Sequence, residues 1–300
     1  MSIDISLDTL VAELKQKPMK KLAVAAANSQ SVLEAVSAAY QAGIAMPVLC
    51  GNIEKIDFTA RSAHIDISPF EIIEAENDAQ AISIAVSLVR NKRADALFKG
   101  LVPTADIMRA VLDKEAGLRG SGMLSHVGII SSPTLKKPVF LTDCVLVTYP
   151  DLDTKIKLIE NAVAVAQKMG IAVPKVAVLA AVETVNPKMP ATVDAAVLAM
   201  MNSRGQIKNC LVDGPLAMDL ALSPEAVKQK ALQSNVAGDA DIILFPNIDA
   251  GNAVIKTFTI AAGCTMGGII AGAAAPIVMT SRSDTPESKL YSIACAMKLA

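Results

Sequence analysis

An α/β protein of two domains is the fold class this sequence predicts, and three observations carry the expectation. Apolar runs of strand length alternate with helical stretches through the first 115 or so residues. The chain is 52% hydrophobic but only 3% aromatic, with no Trp, so its interior must be packed by Ala, Val, Ile, Leu and Met, which suits helices layered on a parallel sheet. The rhythm then changes after the glycine-rich Gly117-Leu118-Arg119-Gly120-Ser121-Gly122, and 300 residues reach the size at which a single core stops growing.

Taken in order, a first helix is expected over roughly Leu7 to Lys15, then a buried strand at Lys21 to Ala27 and a helix from Gln30 to Ala42. A short strand at Pro47 to Cys50 ends on Gly51. The rhythm recurs with a strand at Ile72-Ile73, a helix at Ala79 to Val89, a strand at Ala94 to Phe98 and a helix at Thr104 to Leu112. Past the glycine-rich break, Val127 to Ile130 and Val139 to Leu141 flank Ser131-Ser132-Pro133-Thr134, the pattern of an antiparallel hairpin. A helix over about Asp153 to Met169 carries Ile156, Ile159, Val163 and Ala166 on one face. Strands at Val176 to Ala180, Asn209 to Val212 and Asp241 to Phe245 alternate with helices at Thr192 to Met201, Pro224 to Gln229 and Ala253 to Ala262. A last strand, Pro276 to Thr280, leads to a helix opened by Thr285 as N-cap, Pro286 at the first helical position and Glu287 at the positive end of the dipole.

Charge and cysteine usage exclude several functions. Lys and Arg total 28 against 29 for Asp and Glu, so no basic field exists to hold a nucleic acid. Five scattered cysteines without a C-x-x-C pair fit a reducing cytoplasm, and the acidic N-terminus has no secretory apolar stretch. The uncharged stretch Phe258 to Met279 has the length of a membrane span, but Gly267-Gly268, Gly272 and Pro276 break it into a helix end and two short strands. His126 stands alone in an apolar run and His64 in a polar loop, so no metal site is expected.

Two distant segments have the make-up of an anion cradle. Lys99-Gly100-Leu101-Val102-Pro103-Thr104 leaves a strand and opens a helix that carries Arg109 on its second turn. Ser281-Arg282-Ser283-Asp284 does the same before the last helix. A hydroxyl, a guanidinium and free N–H groups at helix starts are what a phosphate needs.

These segments, together with Asp213-Gly214-Pro215-Leu216-Ala217-Met218-Asp219, Val236-Ala237-Gly238-Asp239-Ala240-Asp241 and Pro246-Asn247-Ile248-Asp249-Ala250-Gly251-Asn252, resemble the phosphate acetyl/butyryl transferase family, and most the shorter phosphate butyryltransferase branch. The resemblance covers nearly the whole chain in the right order. It implies reversible transfer of a short acyl group, butyryl or acetyl, between coenzyme A and inorganic phosphate. It further implies a homodimer, coenzyme A as co-substrate with no permanently bound cofactor, and two α/β domains around a cleft, akin to isocitrate and isopropylmalate dehydrogenases. One domain would then be 1–122 with 281–300, and the other an inserted 123–280.

Such chemistry needs cations for phosphate, a donor for the tetrahedral oxyanion, and a proton acceptor for a thiol of pKa about 8.5. The resemblance places Ser281 and Arg282 in the catalytic cleft, Ser281 as the donor. Arg282 and Arg109 supply the cations, with Lys99, Gly100 and Thr104 at the phosphate. Longer phosphate acetyltransferases carry an Asp seven residues after the Ser. Here that position is Ser288, which leaves Asp284 or Glu287 as the base, or water beside Arg282. For coenzyme A the candidates are Asp249, Gly251, Asn252 and Lys256 around a strand-to-helix junction, and Asn28-Ser29 after the first strand. A cysteine nucleophile is disfavoured because Cys144, Cys210, Cys264 and Cys295 sit in apolar runs. The missing Asp also admits a different class, a non-catalytic regulator that binds acyl-CoA or acyl phosphate.

Overall fold

The structure is a computed structural model that describes residues 5–120, 122–132, 134–281 and 284–300. Helix starts follow capping chemistry. α1 (Leu7–Leu14) is capped by Ser6, and strand β1 (Lys20–Ala25) leads to α2 (Gln30–Gln41). After β2 (Ala45–Gly51), the Asn52 side chain accepts the Lys55 N–H at 3.0 Å and opens α3 (Ile53–Ser62). β3 (Glu71–Glu74) precedes α4 (Asp78–Arg90), which is capped by Asn77, and β4 (Ala96–Lys99) precedes α5 (Thr104–Val111). Next come the antiparallel pair β5 (Ser125–Ser131) and β6 (Val139–Thr142), then α6 (Leu152–Lys168), capped by Asp151. β7 (Lys175–Leu179), α7 (Pro190–Ser203), β8 (Leu211–Leu216), α8 (Met218–Leu222), α9 (Pro224–Gln229), β9 (Ile242–Leu244) and α10 (Ile248–Lys256) follow. α10 runs on into one π-helical turn, Thr257–Ala261. β10 (Thr265–Ala271), β11 (Ile277–Val278) and α11 (Pro286–Leu299) close the chain.

Contacts divide the chain into two compact units. The end unit holds Ile5–Leu124 with Met266–Ala300, and the inserted unit holds Ser125–Thr265. In the end unit the strand order is β3-β2-β1-β4-β11-β10, parallel except for the antiparallel pair β10 and β11. In the inserted unit it is β5-β6-β9-β7-β8, parallel after the first hairpin. Central β1 is buried on both faces, with Leu22, Ala23, Val24 and Ala25 at 0% exposure, which explains its unbroken apolar run.

Helix α11 is buried nearly all round, and its buried hydroxyls are therefore bonded. Ser292 Oγ accepts the Gly268 N–H at 2.9 Å and donates to the Ser288 carbonyl at 2.8 Å, while Tyr291 Oη donates to the Ile5 carbonyl at 2.6 Å. Among the described residues no helix is long and apolar enough to cross a membrane.

The structure differs from the sequence expectation in several parts, one being that residues 266–280, expected in the inserted domain, belong to the end unit, where β11 pairs with β4. α3 has no counterpart in the predicted pattern, because only Ile56 and Ala60 of its ten residues are buried and the apolar periodicity is correspondingly thin. α10 starts five residues before the expected Ala253. Asn247 accepts the Ala250 N–H at 3.0 Å, so the Asp-Ala-Gly-Asn stretch is the first turn of the helix rather than a turn ahead of it.

Candidate active site

Three parallel neighbours, β1, β4 and β11, end on one edge of the end unit's sheet. Their register aligns Ala25 with Lys99 and Phe98 with Val278, so the chain leaves these strands side by side, about 4.8 Å apart from one to the next. Each exit runs into a helix: Asn28-Ser29 into α2, Gly100 to Pro103 into α5, and Ser281 with Asp284 into α11. Three helix N-termini thus open at one sheet edge, where unbonded N–H groups and the positive ends of the dipoles favour an anion.

The exits are locked to one another by backbone. Gly100 donates its N–H to the Ala25 carbonyl at 2.8 Å, and Leu101 donates to the Ala26 carbonyl at 3.2 Å. A Cβ at Gly100 would stand 2.2 Å from the Ala25 oxygen and 2.3 Å from the Ala26 oxygen, so only glycine fits. Ala26 itself has φ +54°, a conformation that costs a residue with a Cβ about 1 kcal/mol or more.

At this edge lie Asn28, Ser29, Lys99, Gly100, Thr104 and Ser281. Ser281 donates its backbone N–H to Asp284 Oδ2 at 2.6 Å, and the Asp284 N–H returns to the Ser281 carbonyl at 3.3 Å, closing a tight turn. Arg282 lies outside the described residues. Glu287 is exposed in the first turn of α11. Ser288 is buried, and its Oγ accepts the Met266 N–H at 3.3 Å, so this side chain fastens α11 to β10. Arg109 points outward from α5 with 77% of its side chain exposed and pairs with Asp106 at 2.9 Å.

The remaining coenzyme candidates lie in the inserted unit on α10. Asp249 accepts from Tyr149 Oη at 2.5 Å, and Asn252 Nδ2 donates to the Cys144 carbonyl at 3.1 Å. Gly251 makes its close approach to the chain itself, since a Cβ there would be 2.7 Å from the Asp143 oxygen and 3.2 Å from Cys144 Sγ. Asp143 is buried and accepts N–H bonds from His126, Val145 and Leu146 at 2.7 to 2.8 Å, which fixes the loop against α10. Sequence reasoning did not single out Asp143 or Tyr149, whose partners are distant in the chain. Next to Asn252, residues Ala253, Val254, Thr257 and Phe258 line one wall of a largely apolar cavity of about 470 Å³ at the ends of β7 and β8.

All five cysteines are free and buried. Burial, reinforced by the Asp143 charge, pushes the Cys144 thiol well above its ordinary range, while burial raises Cys210 to about 11 and burial with the Glu71 charge raises Cys50 to about 12. A thiolate nucleophile is therefore scarce at neutral pH. Cys144→Ala is expected to keep kcat within a few-fold, and mass spectrometry of acid-quenched enzyme with butyryl-CoA should find no acyl adduct on Cys144. A stable adduct there would overturn the reading that no cysteine acts as nucleophile. Among the described residues no group of three or more His, Cys, Asp or Glu is arranged to hold a metal.

Known proteins resemble this chain over nearly its whole length. A family model described as phosphate acetyl/butaryl transferase matches residues 6–83 and 77–297. Phosphate butyryltransferase of Clostridium acetobutylicum is 47% identical, with 98% of each chain covered. Phosphate acetyltransferase of Thermotoga maritima is 41% identical, over 98% of this chain and 99% of its own. Among solved structures, a branched-chain phosphotransacylase from Enterococcus faecalis superposes with a TM-score of 0.84 at 33% identity, covering 94% of this chain and 99% of that one.

Proposed function

Because this chain belongs to the phosphate acetyl/butyryl transferase family, we propose that it transfers a short acyl group, butyryl in preference to acetyl, reversibly between coenzyme A and inorganic phosphate. The observation that carries the reading is the shared edge of β1, β4 and β11, which gathers Asn28, Lys99, Gly100 and Ser281 with three helix N-termini. The preference for butyryl rests on the higher identity to the butyryltransferase.

In this reading, phosphate sits against Lys99, the Gly100 turn and the start of α5 at Thr104, and Arg282 holds it by a bidentate contact. Arg109 contributes field from the rim of the site. A phosphate oxygen attacks the thioester carbonyl, and Ser281 Oγ donates to the oxyanion that forms. Collapse expels the CoA thiolate, which leaves as thiol by taking up the proton that hydrogen phosphate gives up on becoming acyl phosphate, and the acyl phosphate departs. In the reverse direction the thiol must lose that proton. Glu287, exposed beside the turn, is the acceptor we favour, because Asp284 already holds the Ser281 N–H. Coenzyme A is a substrate that meets Asn28 and Ser29 in the end unit; within the inserted unit, Gly251 lets α10 pack closely against the Asp143–Cys144 backbone. The free cysteines fit a reducing cytoplasm, and the working assembly is a homodimer, measurable by sedimentation.

Two experiments test this. Release of free thiol from acetyl-, propionyl- and butyryl-CoA should require phosphate and be fastest with butyryl-CoA; equal release without phosphate would contradict transfer. Asp284→Asn preserves an acceptor for the Ser281 N–H and should keep turnover within a few-fold, whereas Asp284→Ala should lose about tenfold. An equal, large loss in both would assign Asp284 the proton transfer instead.

A further inference from the structure

We infer that a cavity beside α3 in the end unit receives the nucleotide end of coenzyme A, with Phe58 stacking on adenine and Lys55 taking a phosphate. The inference deepens the proposed function and rests on coenzyme A being the substrate. The cavity, about 470 Å³, is lined by Asn28, Glu54, Lys55, Phe58 and Thr59, a size suited to a bound small molecule.

Two of the lining groups, Phe58 and Asn28, are hard to explain without a ligand. Phe58 is 74% exposed in a chain with six phenylalanines in 300 residues, on a helix that buries only Ile56 and Ala60. An aromatic face turned to solvent next to a cation is the arrangement that binds a purine base and its phosphate. Lys55 makes no ion pair among the described residues. Asn28 Oδ1 is buried yet has no hydrogen-bond partner, a rare and costly state that a ligand donor such as an exocyclic amine or a pantetheine amide N–H would relieve. Glu54 adds a second acceptor for the amine or a ribose hydroxyl. The cavity walls are fixed, because Thr59 Oγ1 donates to the Asn28 carbonyl at 3.4 Å and Asn52 caps the helix.

The placement also suits the length of the coenzyme. Asn28 follows β1, while Ser281 follows β11 two strand positions away, about 10 Å along the sheet edge. α3 follows β2, on the opposite side of β1 from β4 and β11. A nucleotide held at α3 therefore leaves the extended pantetheine arm to run across the edge towards Ser281.

The test is calorimetric titration of the full chain with CoA and with 3′-phospho-ADP, the nucleotide end alone, in wild type, Phe58→Ala and Lys55→Gln. Phe58 and Lys55 are exposed, so both variants should fold, with unfolding midpoints near that of wild type. We expect Phe58→Ala to weaken both ligands about tenfold, the scale of one base–aromatic stack, and Lys55→Gln to weaken both severalfold with a shallower salt dependence. Unchanged affinities in both variants, or no binding of 3′-phospho-ADP to wild type, would overturn the inference even if the enzyme turns over. Phe58-dependent nucleotide binding without any phosphate-dependent turnover would uphold it and overturn the proposed function.

Discussion

Arg282→Ala should lower kcat/KM for butyryl-CoA with phosphate by about 10³-fold, through loss of a charge that meets phosphate as it becomes bonded to the acyl carbon. The expectation follows from where Arg282 stands in the chain. It follows in sequence Ser281, and Ser281 lies in a turn fixed by Asp284 at the exit of β11, the strand beside β4 and its Gly100 turn. A guanidinium offers phosphate two parallel N–H bonds, and an ammonium offers one point charge, so Arg282→Lys should recover only part of the activity, on the order of tenfold over Ala. The phosphate KM should rise in both variants. Initial rates across a phosphate titration measure this, and a kcat/KM within a few-fold of wild type would remove Arg282 from the mechanism.

Gly100→Ala should cost about 3 kcal/mol of stability and most of the activity, the upper range for forcing extra atoms into a packed site. The obstruction is backbone on the adjacent strand, with carbonyl oxygens of Ala25 and Ala26 at 2.2 and 2.3 Å from the added carbon. No side chain there can swing away. Relief requires β1 and β4 to part at the exit, which breaks the Gly100 bond to Ala25 and moves Lys99. Gly205→Ala is the control: it has φ +74° but no atom within 4 Å of the added carbon, so it carries only the conformational cost, about 1 kcal/mol. Urea midpoints and thiol-release rates of the two variants separate the effects. Equal losses in both would mean that the clash at Gly100 is not what matters.

Much of the fold was legible because burial and capping write themselves locally. The run Lys21 to Ala27 reads as a strand because β1 is buried on both faces, and Thr285 with Pro286 reads as a helix start because both act through neighbours one turn away. α3 was not legible, since a helix that rests on two apolar residues leaves little periodicity. The start of α10 was misplaced because Asp249 to Asn252 has turn composition, although Asn247 carried the cap signal.

The site was legible in a different measure. Residue types named an anion site, and the resemblance named its chemistry. That β11 pairs with β4 joins segments some 180 residues apart, a non-local fact that no local pattern encodes. Roles set by close packing were also hidden. Gly251 accommodates the Asp143–Cys144 backbone, Ser288 binds β10, and Asp284 holds Ser281, and each of these depends on a partner brought in by the fold.

The measurement that bears most directly on the account is phosphorus NMR of the wild-type protein with butyryl-CoA and inorganic phosphate, with free thiol assayed in parallel. Acyl transfer predicts that a butyryl phosphate resonance grows in step with thiol, one for one, and that added CoA reverses it. Thiol released with no acyl phosphate would make the protein a thioesterase, and no release by protein that binds CoA would make it a regulator; either result would contradict the account.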